Sequence, residues 1–222
     1  MRITSKLSSR QGRYESVLYE ISEMYKRDTS FTLCESENAI QFSDVQNCKM
    51  ISFINGPLKY QTDRIDEYIF QYDVLPTIGG LLVSAKFKLT FSNIEGTDVQ
   101  YIPVIIYYEN GKKCEQFFCM NVLNSISLLD RKRSIYLPSK WDKSKINVIQ
   151  PFYYNDNMAN HLIVRMKECN SFIIVSELFK ELAEEKKLKG ITFNPEGKSV
   201  YTKLGLEEAR EKMNKWLSNI VD

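Results

Sequence analysis

FIIVSELFKELAEEKKLKGITFNP, residues 172–195, decides how this chain is read. Phe172 to Val175 form a short apolar run, the length of a buried strand. Ser176 offers a side-chain oxygen to the free N–H groups of a helix start, and Glu177 places negative charge at its positive end. Leu178, Phe179, Leu182 and Ala183 fall on one helical face, with Lys180, Glu184 and Glu185 off it. Gly190 suits a helix end because it adopts positive φ at low cost. Ile191 and Phe193 alternate with polar residues, as one buried face of a strand does, and Pro195 closes the run. The segment therefore predicts a strand–helix–strand unit.

A second stretch overlays it without a gap. LLVSAKFKLTFSNIEGTDVQYIP, residues 81–103, sets Val83 on Val175, Ser84 on Ser176, Phe87 on Phe179, Lys88 on Lys180 and Pro103 on Pro195. Val99 then faces Ile191, and Tyr101 faces Phe193. An internal duplication and two separate units sharing apolar runs both fit this overlay.

The composition sets outer bounds. A chain of 222 residues with 43% hydrophobic content supports one sizeable core. Lys+Arg 30 against Asp+Glu 28 leaves a net charge of +2. That balance lacks the basic excess of a nucleic-acid binder. Tyr 13 and Phe 12 suit a β-rich protein. The opening MRITSKLSSRQGRYESV has no apolar core of a signal peptide. No apolar run approaches the roughly 18 residues of a membrane span. Five cysteines are an odd number, and with no secretion signal they read as free cytoplasmic thiols.

Along the chain, residues 1–12 are expected to fray. Tyr14 to Tyr25 fits either a strand or a helix, the helical face carrying Val17, Leu18, Ile21, Met24 and Tyr25. Phe31–Leu33, Ile40–Phe42, Met50–Ile54 and Tyr68–Tyr72 read as short strands, with a turn at Asn55-Gly56-Pro57. Asn110-Gly111 predicts a hairpin after Val104–Tyr108, returning through Glu115 to Met120. Ile146–Tyr154 and His161–Lys167 suggest a second hairpin around Asn155-Asp156-Asn157. Leu206–Val221 reads as an amphipathic helix with Ala209, Met213, Trp216, Leu217 and Ile220 inward. Neither Pro nor Gly clusters into a linker. The expectation is one α+β domain over 1–222, of short mixed and antiparallel strands with two similar strand–helix–strand units (81–103 and 173–195) and a C-terminal helix.

Catalytic chemistry finds little support. No motif supplies His161 with a nucleophile or an orienting acid, so it reads as a surface or strand-edge residue. Ser84 and Ser176 lack the G-x-S-x-G elbow and read as caps. Gly79-Gly80 is followed by no phosphate-loop sequence. Cys114 and Cys119, with four residues between them, have no second close Cys/His pair to complete a zinc site. No enzyme activity, cofactor or metal is expected. Asp130 to Trp141 carries Arg131, Lys132, Arg133, Lys140 and Trp141 in what reads as a loop between hairpins. Such a loop binds a partner or is simply solvated, and both remain open here.

Three sequence motifs go further. Asn121, Val122, Ile126, Asp130 and Ser134 follow the aromatic strand at Phe117–Phe118. Ile173, Val175, Ser176, Lys180, Glu184, Gly190, Ile191 and Phe193 form the second motif, and Gly80 with Ser84 the third. Across about residues 70–195 this pattern resembles the immunity proteins of bacterial polymorphic toxin systems, in the eleventh such family or a sister immunity family. The resemblance implies a cytoplasmic protein that binds and neutralises a cognate secreted toxin domain, with no catalytic residues and with neither nucleic acid nor membrane as partner. The alternative is an accessory module that holds a secreted effector without inhibiting it.

Overall fold

The computed structural model describes residues 17–219, apart from positions 24, 26–28, 36, 38–39, 53–55, 64–66, 79, 143–144, 159 and 200–202. The expectations for residues 1–12, Tyr14, Met24, Ile54, Asn55 and Ile220 lie outside the described residues. In chain order the first elements are β1 (Leu18–Glu23), β2 (Phe31–Leu33), α1 (Phe42–Gln46), β3 (Leu58–Thr62), β4 (Val74–Leu75), β5 (Thr77–Ile78), β6 (Leu81–Ser84) and α2 (Ala85–Thr90). Next come β7 (Val99–Tyr108), β8 (Lys113–Cys114), β9 (Phe117–Val122), β10 (Ser125–Ile126), β11 (Ile135–Pro138) and β12 (Ile146–Gln150). The chain ends through β13 (Ile163–Met166), β14 (Ile173–Ser176), α3 (Glu177–Glu185), β15 (Ile191–Pro195) and α4 (Lys203–Ser218).

The strands form a large mixed sheet in the order β4-β6-β9-β7-β3-β2-β5, with β8 beside β7. A second sheet runs β10-β13-β14-β1-β15, and β11 and β12 make a separate hairpin. Both units expected from the sequence are present as strand–helix–strand. Each is split by a third strand that pairs antiparallel with both of its own. In the first unit β9 lies between β6 and β7. In the second, β1 lies between β14 and β15. Sequence reading missed this insertion because the strand that fills the second unit comes from the far end of the chain.

Alternation along the strands builds three apolar layers. Leu81, Val83, Val99, Tyr101 and Met120 of the large sheet face Tyr19, Ile21, Ile173 and Val175 of the smaller one. Phe87 and Phe91 from α2 and its end, and Phe179 and Ala183 from α3, fill the space between them. The rings of Phe91 and Phe179 stack with centroids 4.0 Å apart and planes 4° from parallel. Leu82, Ile102 and Ile106 point to the other face of the large sheet, where Val45 and Ile69 cover them. Leu18, Val164 and Ile174 point to the outer face of the smaller sheet, beneath Tyr136 of β11 and Met213 of α4.

Both helices start as their caps require. Ser84 Oγ accepts from Phe87 N at 3.1 Å, and Ser176 Oγ accepts from Phe179 N at 3.3 Å. The end of α3 differs from the expectation for Gly190. Lys187, at φ 51°, takes the left-handed position. Leu188 N donates to Ala183 O and Lys187 N to Glu184 O, at 3.0 and 2.9 Å. These two bonds close the helix by a Schellman motif.

Gly190 does something else. Its φ is 87°, and a Cβ built there would lie 2.2 Å from the carbonyl oxygen of Val74. The entry to β15 thus passes directly against the backbone of β4, the terminal strand of the large sheet. Beside it, Asp73 N and Val74 N donate to Lys189 O at 2.8 and 3.0 Å. Lys189 N returns a bond to Asp73 Oδ2 at 2.9 Å, and Ser84 Oγ donates to Asp73 Oδ1 at 2.7 Å. Asp98 makes a second junction: its carboxylate accepts from Leu162 N at 2.8 Å, and its carbonyl accepts from Leu123 N at 2.8 Å.

Four local expectations are corrected. The Phe31–Leu33 strand is present, but a bend at Ile40 leads into α1, not a strand. No strand forms at residues 50–52, where Gln100 bonds both the N–H and C=O of Ile51 in place of a strand partner. Tyr68–Tyr72 lies in a 3-10 turn over Glu67–Gln71, burying Ile69 and leaving Phe70 half out. Val99 to Tyr108 is one continuous strand through Pro103. The Asn110-Gly111 hairpin forms as expected, with Tyr107 opposite Lys113. The second hairpin does not: β12 pairs with β11, and Asn155–Met158 is a 3-10 turn. Its apolar alternation was real, but periodicity does not specify which strand is the partner.

Gly190 gives a direct test. Gly190→Ala combines a positive φ with a clash against fixed backbone and is expected to lower unfolding free energy by about 3 kcal/mol or more. Gly111→Ala has the same sign of φ but nothing within 4 Å of the new Cβ. It is expected to lose only about 1–2 kcal/mol. Urea denaturation of the two variants checks the difference; equal losses would remove the close-approach argument.

Candidate functional site

The turn from Asp130 to Ser134 is built by the motif residues themselves. Asp130 is buried, and its Oδ1 accepts from Lys132 N at 2.9 Å and Arg133 N at 3.2 Å. Ser134 N donates to Asp130 O at 2.9 Å. Ser134 Oγ accepts from Phe152 N at 2.9 Å and lies 3.2 Å from Phe152 O. Short polar side chains bonding nearby backbone hold a turn in this way. The turn pushes Arg131, Lys132 and Arg133 outward.

These three cations are not equivalent. Arg133 Nη2 donates to Glu196 Oε1 at 2.5 Å, and its guanidinium lies 4.5 Å from the centre of the Phe152 ring. Glu196 also accepts from Tyr153 N at 3.0 Å, so Arg133 ties the turn to the end of β15. Arg131 lies over the Tyr136 ring at 5.4 Å and makes no ion pair among the described residues. Lys132 is exposed.

The stretch after the turn is not the continuous loop expected. Ile135 and Tyr136 are buried in β11, and Tyr136 covers the outer face of the smaller sheet. The sequence signal was too short to separate a four-residue strand from a loop. Lys140 and Trp141 lie beyond β11, in the hairpin connection to β12. That connection is held by Ser139 N donating to Lys145 O at 2.9 Å and by Trp141 N donating to Ser139 Oγ at 3.3 Å. Trp141 is 97% exposed. The five candidate residues therefore fall in two groups, separated by four residues of strand, about 13 Å. Glu196, which anchors one group, carried no signal in the sequence.

The model of the immunity protein family (Imm11) matches residues 55–198. The chain belongs to this family. The matched span holds both strand–helix–strand units, the Asp130–Ser134 turn and the β11–β12 hairpin. No curated protein matches the chain.

In this immunity protein His161, Ser84 and Ser176 are engaged in the fold. His161 Nδ1 lies 2.7 Å from Asp98 Oδ1, at the second junction between the sheets. Ser84 and Ser176 cap helices. No group of three or more metal-ligating side chains occurs among the described residues. No helix among them is long and apolar enough to cross a membrane. The five cysteines are free. Burial pushes the Cys119 thiol up to about 11, and it also raises Cys34, Cys48 and Cys114, the opposite of an activated thiolate.

Thiol labelling at neutral pH follows from these environments. Cys34, Cys48 and Cys169 are partly exposed, while Cys114 and Cys119 are buried. The native protein is expected to label at the first three within minutes and at all five only after denaturation. Fast labelling of Cys119 in the native protein would contradict the packing of β9 between β6 and β7.

Proposed function

We propose that this chain neutralises a cognate secreted bacterial toxin domain by binding it stoichiometrically in the cytoplasm, without catalysis. The observation that carries the reading is membership of the immunity family over residues 55–198. The structure supplies a compatible means: exposed Arg and Trp side chains on turns fixed to a packed scaffold. Loops held by rigid elements concentrate binding residues, and Arg and Trp are enriched among those that dominate affinity. The toxin-facing surface we propose comprises Arg131, Lys132, Arg133, Lys140 and Trp141. Within it Arg131 and Trp141 act as anchors, the lysines steer association, and Arg133 holds the turn through Glu196.

Protection of a cell from an active toxin demands tight binding, and such pairs reach Kd values of about 10⁻¹³ M. Co-expression with the product of the adjacent open reading frame, scored for rescue from its toxicity, is the functional test, and rescue of growth is expected. A stable complex without rescue would instead make the chain a non-inhibitory adaptor.

The surface has its own test. Arg131→Ala combined with Trp141→Ala is expected to change unfolding free energy by less than about 1 kcal/mol, since both side chains are exposed. Toxin affinity is expected to fall by at least about 2 kcal/mol, roughly 30-fold. In a Trp216→Phe background, the emission of Trp141 should shift to the blue on complex formation. A double variant that binds as tightly as its parent, at low and at physiological salt, would place the contact surface elsewhere.

A further inference from the structure

Among the described residues the five-stranded sheet ends on β15, and its outer edge is open. β15 pairs with β1 from Ile191 opposite Glu23 to Pro195 opposite Tyr19. Among the described residues no other strand lies beyond it, and no backbone bond reaches the outward N–H or C=O groups of Ile191 to Asn194. In an antiparallel ladder every second residue turns both groups away from the partner strand. The edge therefore offers a short row of unsatisfied donors and acceptors.

Proteins usually blunt such an edge with charge, proline or a covering element. From Gly190 to Asn194 the sequence GITFN carries no charge. Its side chains are half-buried, Ile191 and Phe193 resting on the central layer. At 5 residues β15 outlasts β4, β5 and β10, the terminal strands at the other ends of the two sheets.

The flanks are charged, and the charges choose the occupant. At the start of β15, Lys187 and Lys189 are exposed and make no ion pair among the described residues. At its end, Lys198 is exposed and donates to Asn194 Oδ1 at 2.6 Å. Beyond it, Glu196 is already committed to Arg133 and Tyr153 N. A second copy pairing antiparallel about Phe193 would set Lys189 opposite Gly197 and Lys198 opposite Leu188, so that Lys189 of each copy falls one residue from Lys198 of the other, at both ends of the pair. Like charges so placed oppose self-pairing. A strand with an uncharged middle and acidic flanks meets cations at both ends.

We propose that β15 receives an extended strand of the protein partner, uncharged and apolar in its centre and acidic on either side, which adds a sixth strand to the sheet. Backbone bonds hold the added strand, and the flanking lysines select it. Its position beside the Arg133–Glu196 link makes the Asp130–Ser134 turn the neighbouring contact. This rests on the reading that the chain binds a protein partner, but its test needs no toxin.

The probe is a nine-residue synthetic peptide of alternating Val and Thr with two Asp residues at each end; the control carries Lys in place of Asp. Hydrogen exchange of the full chain is followed residue by residue with each peptide at millimolar concentration. The acid-flanked peptide is expected to slow the outward amides between Ile191 and Asn194 at least tenfold, and the Lys-flanked control is expected to leave them unchanged. Lys189→Gln combined with Lys198→Gln should weaken the acid-flanked peptide about tenfold while the melting temperature holds. Sedimentation should show the chain alone as lacking any dimer that protects this edge. No protection with either peptide, equal protection with both, or a dimer through β15 would overturn the proposal. Peptide binding without toxin rescue would count against the proposed function alone; rescue without peptide binding would count against this inference alone.

Discussion

Everything in this structure depends on one backbone contact, where Gly190 passes the carbonyl of Val74 and Lys189 exchanges hydrogen bonds with Asp73 and Val74. Asp73 is nearly buried, so its carboxylate needs partners, and it finds them in Ser84 Oγ, Lys189 N and the nearby Lys86 ammonium. Ser84 is also the cap of α2. The start of one helix, the edge of the large sheet and the entry to β15 are thus fixed by a single set of bonds. Asp98 repeats the arrangement at the other junction, with His161, Leu162 and Leu123. Between these two polar junctions lie the Phe91–Phe179 stack and the central apolar layer.

Much of this was legible in the sequence because it is local. A four-residue apolar run, a serine and a helical apolar face specify strand, cap and helix without outside help, and both units formed as expected. The Asn110-Gly111 hairpin is equally local. The failures share a cause. Tyr68–Tyr72 has aromatic content that suits a strand, yet it closes on itself to bury Ile69. Ile146–Tyr154 alternates properly, but its partner β11 was hidden inside an apparent loop. Gly190 was noticed for its freedom of φ, and the real constraint on it is a neighbour more than a hundred residues away. Partner choice is set by tertiary packing, and no window of sequence contains it.

The candidate surface was half legible. A basic run and a nearby tryptophan could be found by eye, but neither the exposure of Trp141 nor their relation could. Only the structure separates Arg133, which is bound to Glu196 and stacked on Phe152, from Arg131, which carries no ion pair among the described residues. It also divides the five residues between the two ends of β11. Asp130 and Ser134, two residues of the family motif, are the internal scaffold of the turn. The motifs of the immunity family in this chain are therefore largely folding features. The side chains left to meet a partner sit between and beyond them.

If the two junctions make the sheets one cooperative unit, both must open together. Native-state hydrogen exchange across a denaturant series measures this, comparing core amides of Ile102 and Met120 in the large sheet with those of Val164 and Ile174 in the smaller one. The account predicts one shared opening free energy in the parent protein, and a shared loss in both sheets when Asp73 is replaced by Ala. Opening energies that differ by more than about 2 kcal/mol, or a loss confined to one sheet in the Asp73→Ala variant, would contradict it.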